Sequence, residues 1–232
     1  DQLYIIISQS GLTADSIKVL DICKAKKVKT LAIVNCLEST IARDCFYKLE
    51  LLAGKEIAVA STKAFVASIT VLYLLSNAIK KSNCLEIKDK LIKTSISANQ
   101  ILSNKNNIIS LAKQIYNAKA VFYIGRGADY LVCLEAALKL KEISYIHSWG
   151  YMSGELKHGS IALVKEGVVV IGIITNPSTN NIVRSNIIET TSRNALGITI
   201  VDESLATEYD NILLPSIDKD LKYPYGTFDA FI

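Results

Sequence analysis

Histidine is scarce in this chain, with two copies among 232 residues, and none of the five cysteines (Cys23, Cys36, Cys45, Cys84, Cys133) stands in a C-x-x-C pair. That argues against a metal site, since no zinc-ligand spacing is present. The odd cysteine count reads as reduced thiols, which points to the cytoplasm. Aromatic residues make up only 7% of the chain, and none interleaves a basic stripe. Charge of one sign is also lacking: 26 basic residues against 22 acidic ones leave a net +4. The densest basic cluster, residues 24–29, reads as a solvated helix end before a strand. Nucleic acid is therefore not an expected partner. No signal segment is visible. The longest apolar run, about residues 64–79, is broken by Ser68, Thr70, Ser76 and Asn77, so it reads as a buried helix and not as a membrane span.

What the chain does have is aliphatic. Half of it is hydrophobic, and the stock is mostly Ile, Leu, Val and Ala. That composition suits buried parallel strands covered by helices. The order along the chain agrees. A continuous apolar run at residues 3–8 is a strand, followed by a helix over 13–25, a strand at 30–35 and a short helix near 39–44. A strand at 47–52 and a long helix at 62–80 complete a first α/β unit. Residues 81–107 are rich in Lys and Asn, but Leu85, Ile87, Leu91, Ile92 and Ile96 keep helical spacing, as expected of helices linking two lobes. The alternation then restarts: strand 120–124, helix 130–144, a motif-rich loop to residue 159, strand 168–175, helix 181–194, and strands 197–201 and 211–214. The fold class expected is α/β with parallel sheets, in two similar domains, 1–105 and 106–232. The last residues, 221–232, show no period. The chain begins at Asp1 directly in a strand and ends at Ile232 without a helix cap, as expected of a piece of a longer protein.

Four segments carry candidate chemistry. The first, SQSGLTAD at 8–15, passes from a strand into a helix. A helix N-terminus has unpaired N–H groups and a dipole that favours anions. Ser8, Gln9, Ser10 and Thr13 add neutral donors, and Gly11 permits close backbone approach. Without a Walker lysine, this set suits a sugar monophosphate better than a triphosphate. An ordinary Ser/Thr helix cap is the equally open alternative. The second, GKEIAVASTKAF at 54–65, again enters a helix. Ser61 or Thr62 could cap it, and Val59 and Ser61 could face a ligand. The third, LEAALKLKEISYIH at 134–147, places Glu135, Lys139 and Glu142 on one helix face, with Leu134, Leu138 and Ile143 towards the core. A carboxylate beside an ammonium can act as base and charge stabiliser if the face lines a cleft; a salt-bridged surface is the alternative. The fourth, GELKHG at 154–159, brackets Glu155, Lys157 and His158 with glycines. Histidine is the usual proton carrier near neutrality, and a shaped loop is a usual place for function.

In this order, and at these separations, the four segments resemble the isomerase half of glutamine–fructose-6-phosphate transaminases, from residue 5 to about residue 163. The resemblance implies two flavodoxin-like, three-layer sugar-isomerase (SIS) domains, the first incomplete. It implies conversion of fructose 6-phosphate and glutamine-derived ammonia to glucosamine 6-phosphate without a cofactor. Carried over by position, Ser8, Gln9, Ser10 and Thr13 would hold the phosphate, and Val59 and Ser61 would line the sugar site. Glu142 would move a proton between C1 and C2, with Lys139 beside it. His158 would assist ring opening from the partner subunit of a homodimer. Glu135 would be structural or supporting. Leu12 departs from the family's acidic residue, Ser148, Trp149 and Gly150 from a more polar stretch, and Ser160 from a proline. The glutaminase domain, the first strand and loop of the first SIS domain, and a C-terminal tail with an imine-forming lysine lie outside this sequence. The chain alone is therefore expected to bind and turn over substrate poorly. A SIS deaminase or isomerase without a glutaminase, and a sugar-phosphate sensor module, are the alternatives.

Overall fold

The computed structural model describes residues 2–217, so the unpatterned segment at 221–232 lies outside the described residues. The chain divides into two compact units, Asp1–Asn83 and Cys84–Ile232. The boundary read from the sequence, 105/106, falls one helix later.

The first unit contains β1 (Leu3–Ser8), α1 (Ala14–Ala25), β2 (Lys29–Val34), α2 (Thr40–Asp44), β3 (Tyr47–Glu50) and α3 (Lys63–Ile79). Its sheet is parallel, in the order β1-β2-β3, with Ile5 opposite Leu31 and Ile7 opposite Ile33. The β2 run KTLAIV is buried on both faces, which is why it does not alternate. Ala32 and Val34 meet Leu20 and Ile41, so α1 and α2 cover one face. Leu31 and Ile33 meet Ala64, Val71 and Leu75, so α3 covers the other. The result is a three-layer unit.

The second unit contains α4 (Cys84–Ser103), α5 (Asn106–Ile115), β4 (Ala120–Gly125), α6 (Ala128–Ser144), β5 (Ser148–Met152), β6 (Val168–Ile174), α7 (Asn180–Thr191), β7 (Leu196–Asp202) and β8 (Ile212–Leu214). Its parallel sheet runs β5-β4-β6-β7-β8. Val170 and Ile174 face Val183 and Ile187 of α7. Val121, Val169 and Ile171 face Leu111 and Ile115 of α5 and Leu140 of α6. Parallel sheets sandwiched by helices, with three strands in one unit and five in the other among the described residues, are the flavodoxin-like arrangement expected.

Two expectations fail here. Residues 148–152 are a strand inside the stretch read as loop, paired in parallel with β4. The face of α6 is also turned. Leu134, Leu138 and Ile143 are 43%, 41% and 66% exposed, whereas Val132, Cys133 and Ala137 are buried. The cause is close approach. A Cβ placed on Gly150 would lie 2.7 Å from the backbone of Cys133, and one on Gly125 2.7 Å from that of Asp129. The helix lies so near β4 and β5 that only small side chains fit between, and the leucines are turned out.

Candidate active site

Each unit carries its own set of candidate groups. In the first, β1 delivers Ser8 to the C-terminal edge of the sheet, where it is 6% exposed. Its Oγ accepts the Gly11 N–H at 3.1 Å and lies 2.8 Å from Thr13 Oγ1. Thr13 is the residue that precedes α1, yet its side chain makes no capping hydrogen bond. The hydroxyl that would cap the helix is paired with Ser8. An ordinary cap turns its oxygen onto the following N–H groups, and Thr13 does not. Among the described residues, no side-chain hydrogen bond falls on the N–H groups of the first turn of α1, and unpaired N–H groups of this kind are where an anion can bind.

The loop is held from below. The Gly11 carbonyl accepts from Ile41 N–H at 3.1 Å, and the Gln9 carbonyl from Asn35 N–H at 3.1 Å. Gly11 has φ +65°, in the left-handed region, and lies directly over the Ser39 side chain. Ser10 is exposed, and its Oγ accepts the Leu12 N–H at 3.2 Å. Leu12, 60% exposed, extends from the same loop.

The segment before α3 differs from its expectation. Neither Ser61 nor Thr62 caps the helix with its own side chain. The cap is Glu56. Its Oε1 accepts the N–H groups of Thr62 and Ala64, both at 3.1 Å, and its Oε2 accepts the Ser61 hydroxyl at 2.6 Å. Burial works against the Glu56 charge, but these hydrogen bonds outweigh it and hold the carboxyl below its usual value. Ser61 is thereby fixed in place, while Val59 is 93% exposed on the loop. Sequence reasoning missed Glu56, because its partners lie five to eight residues further on and the cap does not follow the S/T-x-x-E pattern.

In the second unit, Lys139 sits between two carboxylates. Its Nζ is 2.7 Å from Glu142 Oε2 and 3.5 Å from Glu135 Oε1. The three side chains are 14%, 29% and 18% exposed, in the order Lys139, Glu142, Glu135. The shared face expected from the spacing is present. GELKHG forms a short 3-10 turn, Glu155–Lys157, followed by exposed His158. Leu156 is buried in the core with Val183 and Ile187. Lys157 Nζ meets Glu189 Oε2 of α7 at 2.5 Å. Among the described residues, no cluster of His, Cys, Asp and Glu could hold a metal ion, and no helix is long and apolar enough to cross a membrane.

Two parallel α/β units, the first with polar groups at a strand-to-helix passage and the second with a charged trio on α6, correspond to a known family: the SIS domain matches residues 1–78 and 114–217. The chain belongs to the SIS domain family. This SIS chain is 42% identical, over 94% of its length, to "Glutamine--fructose-6-phosphate aminotransferase [isomerizing]" of Lactiplantibacillus plantarum, of which it covers 37%. It is 41% identical to the protein of the same name from Streptococcus pneumoniae serotype 4, over 93% of this chain and 37% of that one. Among solved structures, the C-terminal domain of glucosamine-fructose-6-phosphate aminotransferase from Francisella tularensis superposes with a TM-score of 0.82 at 32% identity, over 93% of this chain and 64% of that one. The SIS chain thus spans little more than a third of the length of these curated relatives.

Proposed function

We propose that this SIS chain is the sugar-phosphate isomerase portion of a glutamine–fructose-6-phosphate aminotransferase. The observation that carries the reading is the open N-terminus of α1, whose would-be cap Thr13 is turned onto Ser8. A sugar phosphate is the ligand that such neutral donors suit, and relatives at about 42% identity bear the corresponding name.

In this reading, Ser8, Gln9, Ser10 and Thr13 hold the phosphate of fructose 6-phosphate. Binding energy at a group remote from the reacting carbons orients them. Val59 and Ser61 line the sugar site, with Ser61 held by Glu56. Glu142 takes a proton from one of C1 and C2 and returns it to the other, as a carboxylate general base does without a metal. Lys139, 2.7 Å away, keeps positive charge beside it. His158 assists ring opening, reaching the site of the partner subunit in a homodimer. The enzyme works in the cytoplasm, receives ammonia from a glutaminase domain and releases glucosamine 6-phosphate.

Calorimetry with fructose 6-phosphate and with fructose tests the clamp; equal affinities would sink it. The Glu142→Gln variant of the full-length protein tests the base. It is expected to lose sugar isomerisation while still binding fructose 6-phosphate, and unchanged turnover would reduce Glu142 to a surface charge.

A further inference from the structure

The core beneath the GELKHG turn contains a polar pair that packing alone does not call for. Asn186 lies mid-way along α7 on its buried face, with Val183, Ile187 and Thr190, and is 4% exposed. Its Nδ2 donates to Ser153 Oγ at 2.9 Å, and Ser153 is fully buried. An amide placed among Val and Ile side chains costs free energy unless it is bonded, and an apolar residue of similar size would fill the same space. What the pair adds is register: one hydroxyl must face one amide.

Ser153 is the residue where β5 becomes the turn. Its N–H donates to the Gly125 carbonyl at 2.8 Å, so its backbone belongs to the sheet while its side chain belongs to α7. Three residues on, Leu156 enters the core beside Val183 and Ile187. One residue further, Lys157 reaches Glu189, one helical turn beyond Asn186. His158 follows, and among the described residues its side chain has no hydrogen-bond partner. Its aim is set by the turn that carries it, and the turn is fastened to α7 at Asn186, Val183, Ile187 and Glu189.

We propose that Asn186 is a positioning residue for His158, acting through Ser153 to fix the register of the 154–159 turn. The inference rests on the proposed role of His158. Lys157–Glu189 is half exposed and can exchange with water; the buried Asn186–Ser153 bond is the contact that specifies the fit.

The test uses the full-length protein and measures sugar-phosphate isomerisation with fructose 6-phosphate. Asn186→Leu alone strands the Ser153 hydroxyl, whereas Asn186→Leu with Ser153→Ala removes both partners and is expected to fold with nearly the parent's midpoint. A misplacement of about 1 Å can cost on the order of a hundredfold in rate. The paired variant is therefore expected to lose about tenfold or more in kcat, with KM within about twofold, because the phosphate clamp is untouched. Added to His158→Gln, the paired change is expected to cause no further loss, since both act through one side chain. A paired variant with the parent's kcat, or losses that multiply with that of His158→Gln, would overturn the inference while leaving the role of His158 intact. If His158→Gln itself runs at the parent's rate, the role of His158 and the inference both fail.

Discussion

Replacing Gly11 by alanine tests how the loop between β1 and α1 is built, and the structure supplies each contribution. The residue has φ +65°, which costs an L side chain about 1–2 kcal/mol. The new methyl would stand 1.9 Å from Ser39 Oγ and 2.4 Å from Ser39 Cβ. Rotating the hydroxyl away does not help, because the Cβ is itself too close. Ser39 is also the N-cap of α2, accepting from Ala42 N–H at 3.4 Å and donating to the Cys36 carbonyl at 2.7 Å. Losing that cap costs about 1 kcal/mol, and forcing the backbones apart adds about 1–3 kcal/mol. The total is about 3 kcal/mol or more, a large share of a typical domain's stability. Urea unfolding of the full-length protein, followed through the transition of this part, measures it. Fructose 6-phosphate titration checks that the loop's affinity falls with it. The decisive variant adds Ser39→Gly, which removes both offending atoms and costs only a few tenths of a kcal/mol as a cap. It should recover the steric part and leave the φ part. Strictly additive losses, or a Gly11→Ala protein within about 0.5 kcal/mol of the parent, would refute this account of the loop.

Three further outcomes are expected. Asp210, its side chain 1% exposed, is opposed by burial, but Arg184, the Thr207 N–H and the hydroxyls of Thr199 and Thr207 outweigh that and hold it down to about 2. Because the folded value lies below the unfolded one, its contribution of about 2 kcal/mol is present above about pH 4 and is lost as pH falls towards 2. Melting temperature followed from pH 5 to 2 should fall less steeply in Asp210→Asn, and identical acid slopes would contradict this. Thr13→Val should cost about 1 kcal/mol in stability and several-fold in fructose 6-phosphate affinity by calorimetry, because it removes the partner of Ser8. Glu56→Gln keeps one acceptor oxygen where two serve three donors, so it should destabilise the start of α3 by about 1–2 kcal/mol; amide hydrogen exchange at Thr62 and Ala64 reads this directly, and unchanged exchange would count against the cap.

The strands were readable where the aliphatic run was unbroken. LYIIIS and VVVIGII are β1 and β6 almost to the residue. The strand SWGYM was not, because Gly150 and the glycine-flanked motif that follows look like loop, and the reason for that glycine is a helix passing over it. The same contact inverted α6. Periodicity marks large apolar residues as the inward face, but at this spacing the inward face must be small, so Cys133 and Ala137 take it and Leu134 and Leu138 do not. The charged trio was legible from its spacing alone, since residues three and four apart on a helix meet whichever way the helix is turned. The caps were not legible. Which oxygen reaches which N–H depends on the path of the loop: Thr13 turns to a residue five positions back, and Glu56 reaches forward over a similar interval.

The Ser8–Thr13 pair has one more consequence, which follows from counting protons. Two hydroxyls hold two protons. One lies between the two oxygens, 2.8 Å apart, and the Gly11 N–H already occupies a lone pair on Ser8. Only one proton is left to point outwards. If Thr13 donates inwards, Ser8 presents it; if Ser8 donates inwards, Thr13 does. Reversing the inner bond moves the outward donor from one oxygen to the other without moving a heavy atom. The pair is thus a single donor with two addresses.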